Sequence, residues 1–299
     1  MFIDVHSHMF QDRYPCDNLP KNVDQLEEID LNKFLRELDK NRIKYVVTLA
    51  QDMTRPWNGW LGSNALAADL QKKSKGGMIG IAGAEPLDQH DRFNAERLSD
   101  FESCVKENGL KGLLLTPPYG HYFVNDRRAY PFYAKAVELN VPVYIHQAAQ
   151  FFPPANFTPL EYGRVWLLDS IAIDFPTLYI NVEHMAFPWT QELLALMAHA
   201  PNVYTDISAL FGRPTVLAWN LVMAKEYGVI DRVMYGSDYV GNNIPEYITQ
   251  VMKETEWCRS QLDQIMKRAG WPTLTEKEIV GILLDNAVEF LGLKESFTN

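Results

Sequence analysis

FIDVHSH, residues 2–8, is a short apolar run that ends in two histidines one residue apart. Extended backbone points residues i and i+2 to the same side, so His6 and His8 can reach one point in space together. The run is typical of a buried strand that carries titratable side chains at its carboxyl end.

Similar β-branched or apolar runs recur along the chain, and most of them are separated by segments with helical spacing of apolar residues. The seven further runs are KYVVTLA (44–50), MIGIAGA (78–84), GLKGLLL (109–115), VPVYI (141–145), LYINV (178–182), VYTDI (203–207) and RVMYG (232–236). Such alternation predicts parallel strands joined by βαβ crossovers. An open doubly wound sheet would also satisfy it, but eight units in about 240 residues match an α/β fold of the (β/α)8 TIM barrel type better.

Composition and charge narrow the class of protein. The 299 residues contain no low-complexity segment or linker, which predicts a single barrel domain over 1–299. A formal net charge of -10 argues against nucleic acid and anionic membranes as partners. The sequence shows no secretory signal and no apolar run near the ~20 residues that span a bilayer. Three scattered cysteines, Cys16, Cys104 and Cys258, indicate reduced thiols, so we expect a cytoplasmic protein.

Three further titratable side chains follow predicted strands directly. His146 follows VPVYI, His184 follows LYINVE, and Asp238 follows RVMYGS. In a parallel barrel these carboxyl ends open on one face, where active sites are built. Imidazoles with a carboxylate suit Zn²⁺ or a similar divalent ion. The sequence therefore predicts a metal site that also includes His6 and His8.

The other three histidines do not share that position. His90 and His199 lie in polar or helical contexts and are predicted to be surface residues. His121, in the loop PPYGHYF after the fourth strand, is a weaker candidate for the site.

With these motifs in order, the chain resembles the amidohydrolase-related branch of the amidohydrolase superfamily, the branch that contains aminocarboxymuconate semialdehyde decarboxylase. The matching segments are DVHSH (4–8), VYIHQ (143–147), NVEHMAFPW (181–189), NVYTDISAL (202–210), DRVMYGSDY (231–239) and DNAVEFLGL (285–293). The resemblance implies a distorted barrel of the metal-dependent hydrolase type, a small-molecule substrate, and homodimers or larger homo-oligomers.

The resemblance also implies roles for individual residues. His6, His8, His146 and Asp238 would hold one divalent ion, most simply Zn²⁺ with Mn²⁺ as the other candidate, and His184 would be a catalytic histidine beside it. Binuclear relatives carry a bridging carboxylated lysine or an acid at the end of the fourth strand. Here that strand ends LLLTPPYG (113–120), which favours one ion.

Two reactions fit such a site. In hydrolysis of a lactone, ester or amide, the ion would activate a water whose proton Asp238 accepts, while His184 assists the oxyanion or donates a proton. In the alternative, non-oxidative decarboxylation, His184 or Asp238 would protonate carbon as carbon dioxide leaves. Relatives that this sequence resembles also hydrate unsaturated acids, and the ligand set alone does not separate these chemistries.

Aromatic and basic residues on the loops are candidates for substrate contacts, because flat rings can sandwich a planar acid and guanidinium can clamp a carboxylate. The preferred set is Arg213, Trp57, Tyr119, Phe151 and Trp189. The wider set adds Trp60, Tyr122, Phe152, Phe211, Arg55 and Arg164.

Overall fold

The computed structural model describes residues 1–9, 30–150, 156–241 and 243–294. Eight parallel strands form its centre, and each falls within or overlaps one of the eight predicted runs. They are β1 (Phe2–His8), β2 (Ile43–Leu49), β3 (Met78–Gly83), β4 (Leu113–Leu115), β5 (Val143–Ile145), β6 (Ile180–Val182), β7 (Val203–Asp206) and β8 (Val233–Met234). β4, β5, β6 and β8 are each at least two residues shorter than the predicted run.

Neighbouring strands pair in chain order from β1 to β8. The ring then closes, because the Val5 amide of β1 donates to the Tyr235 carbonyl directly after β8 (3.1 Å). A short continuation, Tyr239–Val240, pairs in parallel with the end of β1, with Ser7 opposite Tyr239. The predicted (β/α)8 barrel is therefore confirmed.

Helices follow the strands and cover the outside of the barrel. One main helix follows each strand. These helices are α1 (Leu31–Lys40), α2 (Asn64–Lys73), α3 (Ala95–Lys106), α4 (Tyr130–Leu139), α5 (Leu168–Asp174), α6 (Thr190–His199), α7 (Pro214–Glu226) and α8 (Ile244–Glu256). Local sequence explains several of their ends: Asp30, Ser63, Asn94 and Asn243 each accept a backbone N–H as the N-cap.

Shorter elements complete the secondary structure. Gln51–Met53 and Gly59–Leu61 form a hairpin around the helical turn Thr54–Trp57, and Pro117–Gly120 forms a turn after β4. The carboxyl-terminal region contains Leu262–Ala269, Glu276–Val280 and Asn286–Phe290, with π-helical turns at Trp257–Gln261 and Gly281–Asp285. A capping box at Thr275 begins the helix Glu276–Val280.

Two apolar layers hold the barrel. The outer layer lies between strands and helices, whereas the inner layer fills the barrel with residues such as Ile3, Val47 and Ile81. Phe290 of the last helix belongs to the inner layer, and its ring lies 5.5 Å from Tyr144 and 5.2 Å from Tyr204. The last helix thus closes the amino-terminal end of the barrel, which leaves the carboxyl ends of the strands for the site.

Two expectations from the sequence concern membrane-spanning segments and the redox state of the cysteines. Among the described residues, none of the helices combines the length and the apolar character that crossing a bilayer requires. Cys104 and Cys258 are buried free thiols, and Cys16 lies outside the described residues.

A buried carboxyl on α8 makes stability depend on pH. Glu254 is 9% exposed, and its Oε2 lies 2.8 Å from the Tyr235 hydroxyl. Burial raises the pKa of Glu254 to about 8, against ~4.3 for an unfolded glutamate. The folded state therefore binds more protons between these values, and its stability falls as pH rises from about 4 to about 8.

Glu254→Gln should remove this dependence because the amide is neutral throughout. We expect the variant to be more stable than the parent at pH ~8, by on the order of a few kcal/mol, and nearly equal at pH ~4. Denaturant unfolding across this pH range measures the effect. Glu256→Gln, which removes an exposed carboxylate from the same helix, is the control. Parallel curves for the parent and Glu254→Gln would show that the buried carboxyl does not set the slope.

Candidate metal centre

The structure places the five predicted site residues together at the carboxyl ends of the strands. His6 and His8 lie on β1, and His146 and His184 follow β5 and β6. All four histidines are buried, whereas the side chain of Asp238 is 28% exposed. The carboxylate of Asp238 therefore lies on the open side of the cluster.

Three ligand atoms are spaced as one ion requires. His6 Nε2 and His8 Nε2 are 3.3 Å apart, and Asp238 Oδ1 lies 3.4 Å from the first and 3.7 Å from the second. Two nitrogens bound to one tetrahedral zinc at ~2.0–2.1 Å are themselves about 3.3 Å apart. The distance between these two Nε2 atoms therefore matches that between two ligands of a shared ion.

Each of the four rings is fixed through Nδ1, which leaves Nε2 for the site. The Nδ1 partners are Asp206 Oδ2 for His6 (3.2 Å), the Leu49 carbonyl for His8 (3.1 Å), Glu183 Oε2 for His146 (2.9 Å) and Ser208 Oγ for His184 (2.8 Å). Metal-binding histidines usually have such an outer partner, because it sets the tautomer and the orientation of the ring.

Two buried atoms of the cluster lack a hydrogen-bond partner within the described part of the chain. They are His146 Nε2 and Glu183 Oε1. Buried polar atoms are rarely left unpaired, and a bound cation with its water would satisfy both. Oε1 of Glu183 lies 3.9 Å from His6 Nε2. His6 also belongs to a second possible ligand group. In this group the ligand atoms of His6, Glu183 and His184 lie within 4.8 Å of one another.

The electrostatics of the cluster favour a cation. Burial alone would lower the pKa of His6, but the carboxylates of Glu183, Asp206 and Asp238 outweigh it and raise the pKa to about 10. By contrast, burial lowers the pKa of His146 to about 3. The three carboxylates thus draw one positive charge to this point, and a divalent ion would take the place of the proton on His6.

Backbone conformation also marks the site. His184 and the two residues after it, Met185 and Ala186, have φ values of +57°, +50° and +51°, and Asp238 has +52°. Left-handed backbone at non-glycine residues is unfavourable and concentrates at functional sites. Here it turns the chain sharply after β6 and β8, where the side chains of His184 and Asp238 leave the barrel wall.

The carboxylates Glu183 and Asp206 were missed in the sequence analysis. Both are buried at strand ends, Glu183 just after β6 and Asp206 as the last residue of β7. The rule that singled out the histidines, a polar side chain at the end of an apolar run, would have found these two residues as well.

One aromatic wall adjoins the cluster. The ring of Tyr119 lies 5.1 Å from that of His146 and 5.3 Å from that of Phe157. On the far side of Phe157, the ring centroid of Trp57 lies 4.6 Å from that of Phe157. Of the predicted substrate contacts, Tyr119 thus adjoins the site directly, and Trp57 is connected to it through Phe157, which the sequence analysis did not select.

Two other residues of the preferred set, Arg213 and Trp189, contact different neighbours. Arg213 approaches the ring of Phe187 (5.8 Å), three residues after His184. Trp189 faces an outer groove of about 750 Å³ that it shares with Trp219 and Trp271. Phe151 lies outside the described residues, so its predicted role stays a prediction.

The three other histidines lie away from the ligand atoms. His90 is exposed, and His199, also exposed, pairs with Asp169 (3.0 Å). Both are therefore surface residues, as predicted. His121 places Nε2 3.2 Å from the Phe157 carbonyl, behind the aromatic wall.

Comparison with known proteins decides the family. The model of the Amidohydrolase family (Amidohydro_2) matches residues 3–293, nearly the whole chain. The chain belongs to the amidohydrolase family. It is accordingly an enzyme of that superfamily, as the resemblance implied.

Among curated proteins, this amidohydrolase is similar to 2-keto-4-carboxy-3-hexenedioate hydratase of Sphingobium sp. (strain NBRC 103272 / SYK-6). The two are 32% identical over 171 residues, which cover 48% of each chain. The match thus spans about half the length of the curated relative.

Solved structures share the fold of this amidohydrolase along its whole length. An uncharacterised TIM-barrel protein of Bordetella bronchiseptica superposes with a TM-score of 0.65 at 19% identity and covers 97% of this chain and 98% of its own. A dihydroxybenzoic acid decarboxylase of Polaromonas sp. JS666, solved with bound manganese and an inhibitor, gives 0.64 at 17% identity and covers 100% and 99%. Hydrolases, hydratases and decarboxylases all occur among such relatives.

Proposed function

We propose that this chain is a single-domain, metal-dependent amidohydrolase that hydrolyses a lactone, ester or amide bond of a small cyclic or carboxylated compound. In this proposal His6, His8, His146 and Asp238 hold one divalent ion. The observation that carries the proposal is the convergence of three ligand atoms: His6 Nε2 lies 3.3 Å from His8 Nε2, and Asp238 Oδ1 lies 3.4 Å from the first and 3.7 Å from the second. A divalent ion shared by the three would replace the proton on His6.

Zn²⁺ is our first choice for the ion, because three imidazoles and one carboxylate form a borderline-soft ligand set, to which zinc would add a water or a substrate oxygen. Mn²⁺ is the second choice, supported by the manganese in the solved decarboxylase. When bound, the ion would polarise a substrate oxygen and lower the pKa of water at the site toward ~7.

The protein's own groups would move the protons. The carboxylate of Asp238, on the open side of the cluster, accepts the proton of the attacking water. His184 has its Nδ1 engaged by Ser208, so Nε2 is the atom that transfers a proton to or from the substrate. Glu183 holds the ring of His146 through Nδ1. Because the four histidines are buried, water reaches the cluster from the side of Asp238.

Hydration of a carbon–carbon double bond in an unsaturated acid is a second candidate, supported by the similarity to the Sphingobium hydratase. It needs the same activated water, with His184 protonating carbon instead of a leaving oxygen. Decarboxylation is a third candidate. It needs the proton donor but no attacking water.

The test is mass spectrometry of products formed by Zn- and Mn-loaded protein from lactones, esters, amides and unsaturated or aromatic acids, in isotopically labelled water. Label in a new carboxylate indicates hydrolysis, label in a new alcohol indicates hydration, and loss of carbon dioxide without oxygen label indicates decarboxylation. Turnover that persists at full rate after chelation of all metal would contradict the proposal.

We further propose that Tyr119 and Trp57 form a wall against which a planar substrate packs. Tyr119→Ala should raise KM about tenfold, because an aromatic contact contributes ~0.5–1.5 kcal/mol beyond its buried area. Steady-state kinetics on metal-matched samples measures this effect. Tyr227→Ala, at an exposed ring on the last turn of the α7 region, is the control. An unchanged KM for Tyr119→Ala would remove Tyr119 from the wall.

We also expect a cytoplasmic location and self-association into a homodimer or larger assembly. Light scattering after size-exclusion chromatography tests the assembly.

A further inference from the structure

Asp206, at the end of β7, lies behind the cluster and connects two of its histidines. It is fully buried. Its Oδ2 accepts from Asn181 Nδ2 (2.7 Å) and lies 3.2 Å from His6 Nδ1. Its Oδ1 accepts from the backbone N–H of His184 (3.2 Å) and of Ser208 (3.1 Å), and from the hydroxyl of Ser208. Both carboxylate oxygens therefore act as acceptors.

The positions of the hydrogens follow from this arrangement. The hydroxyl of Ser208 has a single hydrogen, which it donates to Asp206. Its lone pairs remain, so any nitrogen in contact with Oγ must bring its own hydrogen. His184 Nδ1 lies 2.8 Å from this oxygen, and His6 Nδ1 lies 3.1 Å from it. Both rings therefore carry a hydrogen on Nδ1.

We propose that Asp206 and Ser208 are positioning residues that fix the Nδ1-protonated tautomer of His6 and His184. The Nε2 lone pair of His6 then faces the ion, and the Nε2 lone pair of His184 faces the substrate. One carboxylate thus aligns a metal ligand and a proton-transfer group together. This inference rests on the proposed function for the role of each ring, but the tautomers follow from the hydrogen bonds alone.

A purely structural role is the rival explanation, because Asp206 also anchors the backbone of the turn at His184. Ser208→Ala separates the two, since it removes only the hydroxyl and keeps both backbone N–H donors to Asp206. Thr205→Val is the matched control. It removes a buried hydroxyl three residues earlier, in β7, one that donates to the Val182 carbonyl (2.6 Å) instead of accepting from a histidine ring.

The experiment is long-range proton–nitrogen NMR of Zn-loaded protein labelled with nitrogen-15 histidine, with His184 assigned by its absence in His184→Asn. We expect His184 to be protonated on Nδ1 in the parent and in Thr205→Val. In Ser208→Ala the acceptor that remains near His184 Nδ1 is the backbone carbonyl of residue 208, 3.3 Å away in the parent. A population protonated on Nε2 should therefore appear beside the Nδ1-protonated form. The kcat of Ser208→Ala should fall about 10- to 100-fold with KM nearly unchanged.

Asp206→Asn supplies an independent readout. Its zinc affinity, measured by chelator competition, should fall about 10- to 100-fold, because His6 loses its anionic partner. Ser208→Ala should keep its zinc. An Nε2-protonated His184 in the parent, or an unchanged tautomer and kcat in Ser208→Ala, would overturn the proposal.

The tautomers of His6 and His184 and the proposed hydrolysis are tested independently. If none of the tested substrates turns over, the NMR and zinc-affinity results still decide the tautomers. If the enzyme is an active hydrolase but His184 has the other tautomer, only the positioning role falls.

Discussion

His6→Ala should leave a folded barrel that neither retains its divalent ion nor turns over substrate. His6 Nε2 is the ligand atom common to the pairs with His8 (3.3 Å) and Asp238 (3.4 Å). Removing it takes away one of the four proposed ligands, the one that both of these pairs share, so we expect the ion to be lost. Loss of the ion forfeits several kcal/mol of transition-state stabilisation, so kcat/KM should fall by at least about 10³-fold.

The measurement pairs metal content by mass spectrometry with kinetics, and circular dichroism checks the fold. His199→Ala, which removes an exposed histidine, is the control and should retain both metal and activity. Asp238→Asn tests the same site with less change in volume and should lose activity to a similar degree. Full metal content and full activity in either site variant would exclude that residue from the ligand set.

Much of this architecture could be predicted because its signals are local in sequence. The alternation of short apolar runs with helical segments located all eight strands. His6, His8, His146, His184 and Asp238 each lie at or just beyond a strand end, so knowing the strands was enough to place them on one face.

The pairing of Glu183 with Asp206 was not predicted, because it depends on the register between two strands. Val182 of β6 lies opposite Thr205 of β7, so the next residues in register are Glu183 and Asp206. Each carboxylate can be located at a strand end from the sequence, but only this register shows that the two lie side by side at the histidine cluster. The left-handed turn at His184 was equally hidden, because no glycine marks it.

The sequence could not decide which loop aromatics lie beside the cluster, for a different reason. Aromatic residues on loops are common, and their sequence positions do not say which of them face the site. Tyr119 packs beside His146, whereas Trp189 packs toward an outer groove. Only the path of each loop distinguishes these two residues.

His184→Asn should keep the ion and lose most of the rate. The asparagine amide can replace Nδ1 as the donor to Ser208, so the turn and the ligands His6 and His146 stay in place. It has no atom at the position of Nε2, which is the group we assign to proton transfer. Losing a positioned general acid or base typically costs about 10²- to 10⁴-fold in rate, and kcat should fall by this amount.

The same variant discriminates between the two possible ligand sets. Nε2 of His184 lies 3.8 Å from Glu183 Oε2, and these two residues with His6 form the second candidate group. If His184 is a ligand, His184→Asn will lose the ion, and adding Zn²⁺ or Mn²⁺ in excess will restore part of the activity. If His184 transfers protons instead, the variant will contain a full equivalent of metal, and added metal will not restore turnover. Metal content measured beside kcat therefore assigns His184, and the result also fixes the position of the ion between β1 and β6.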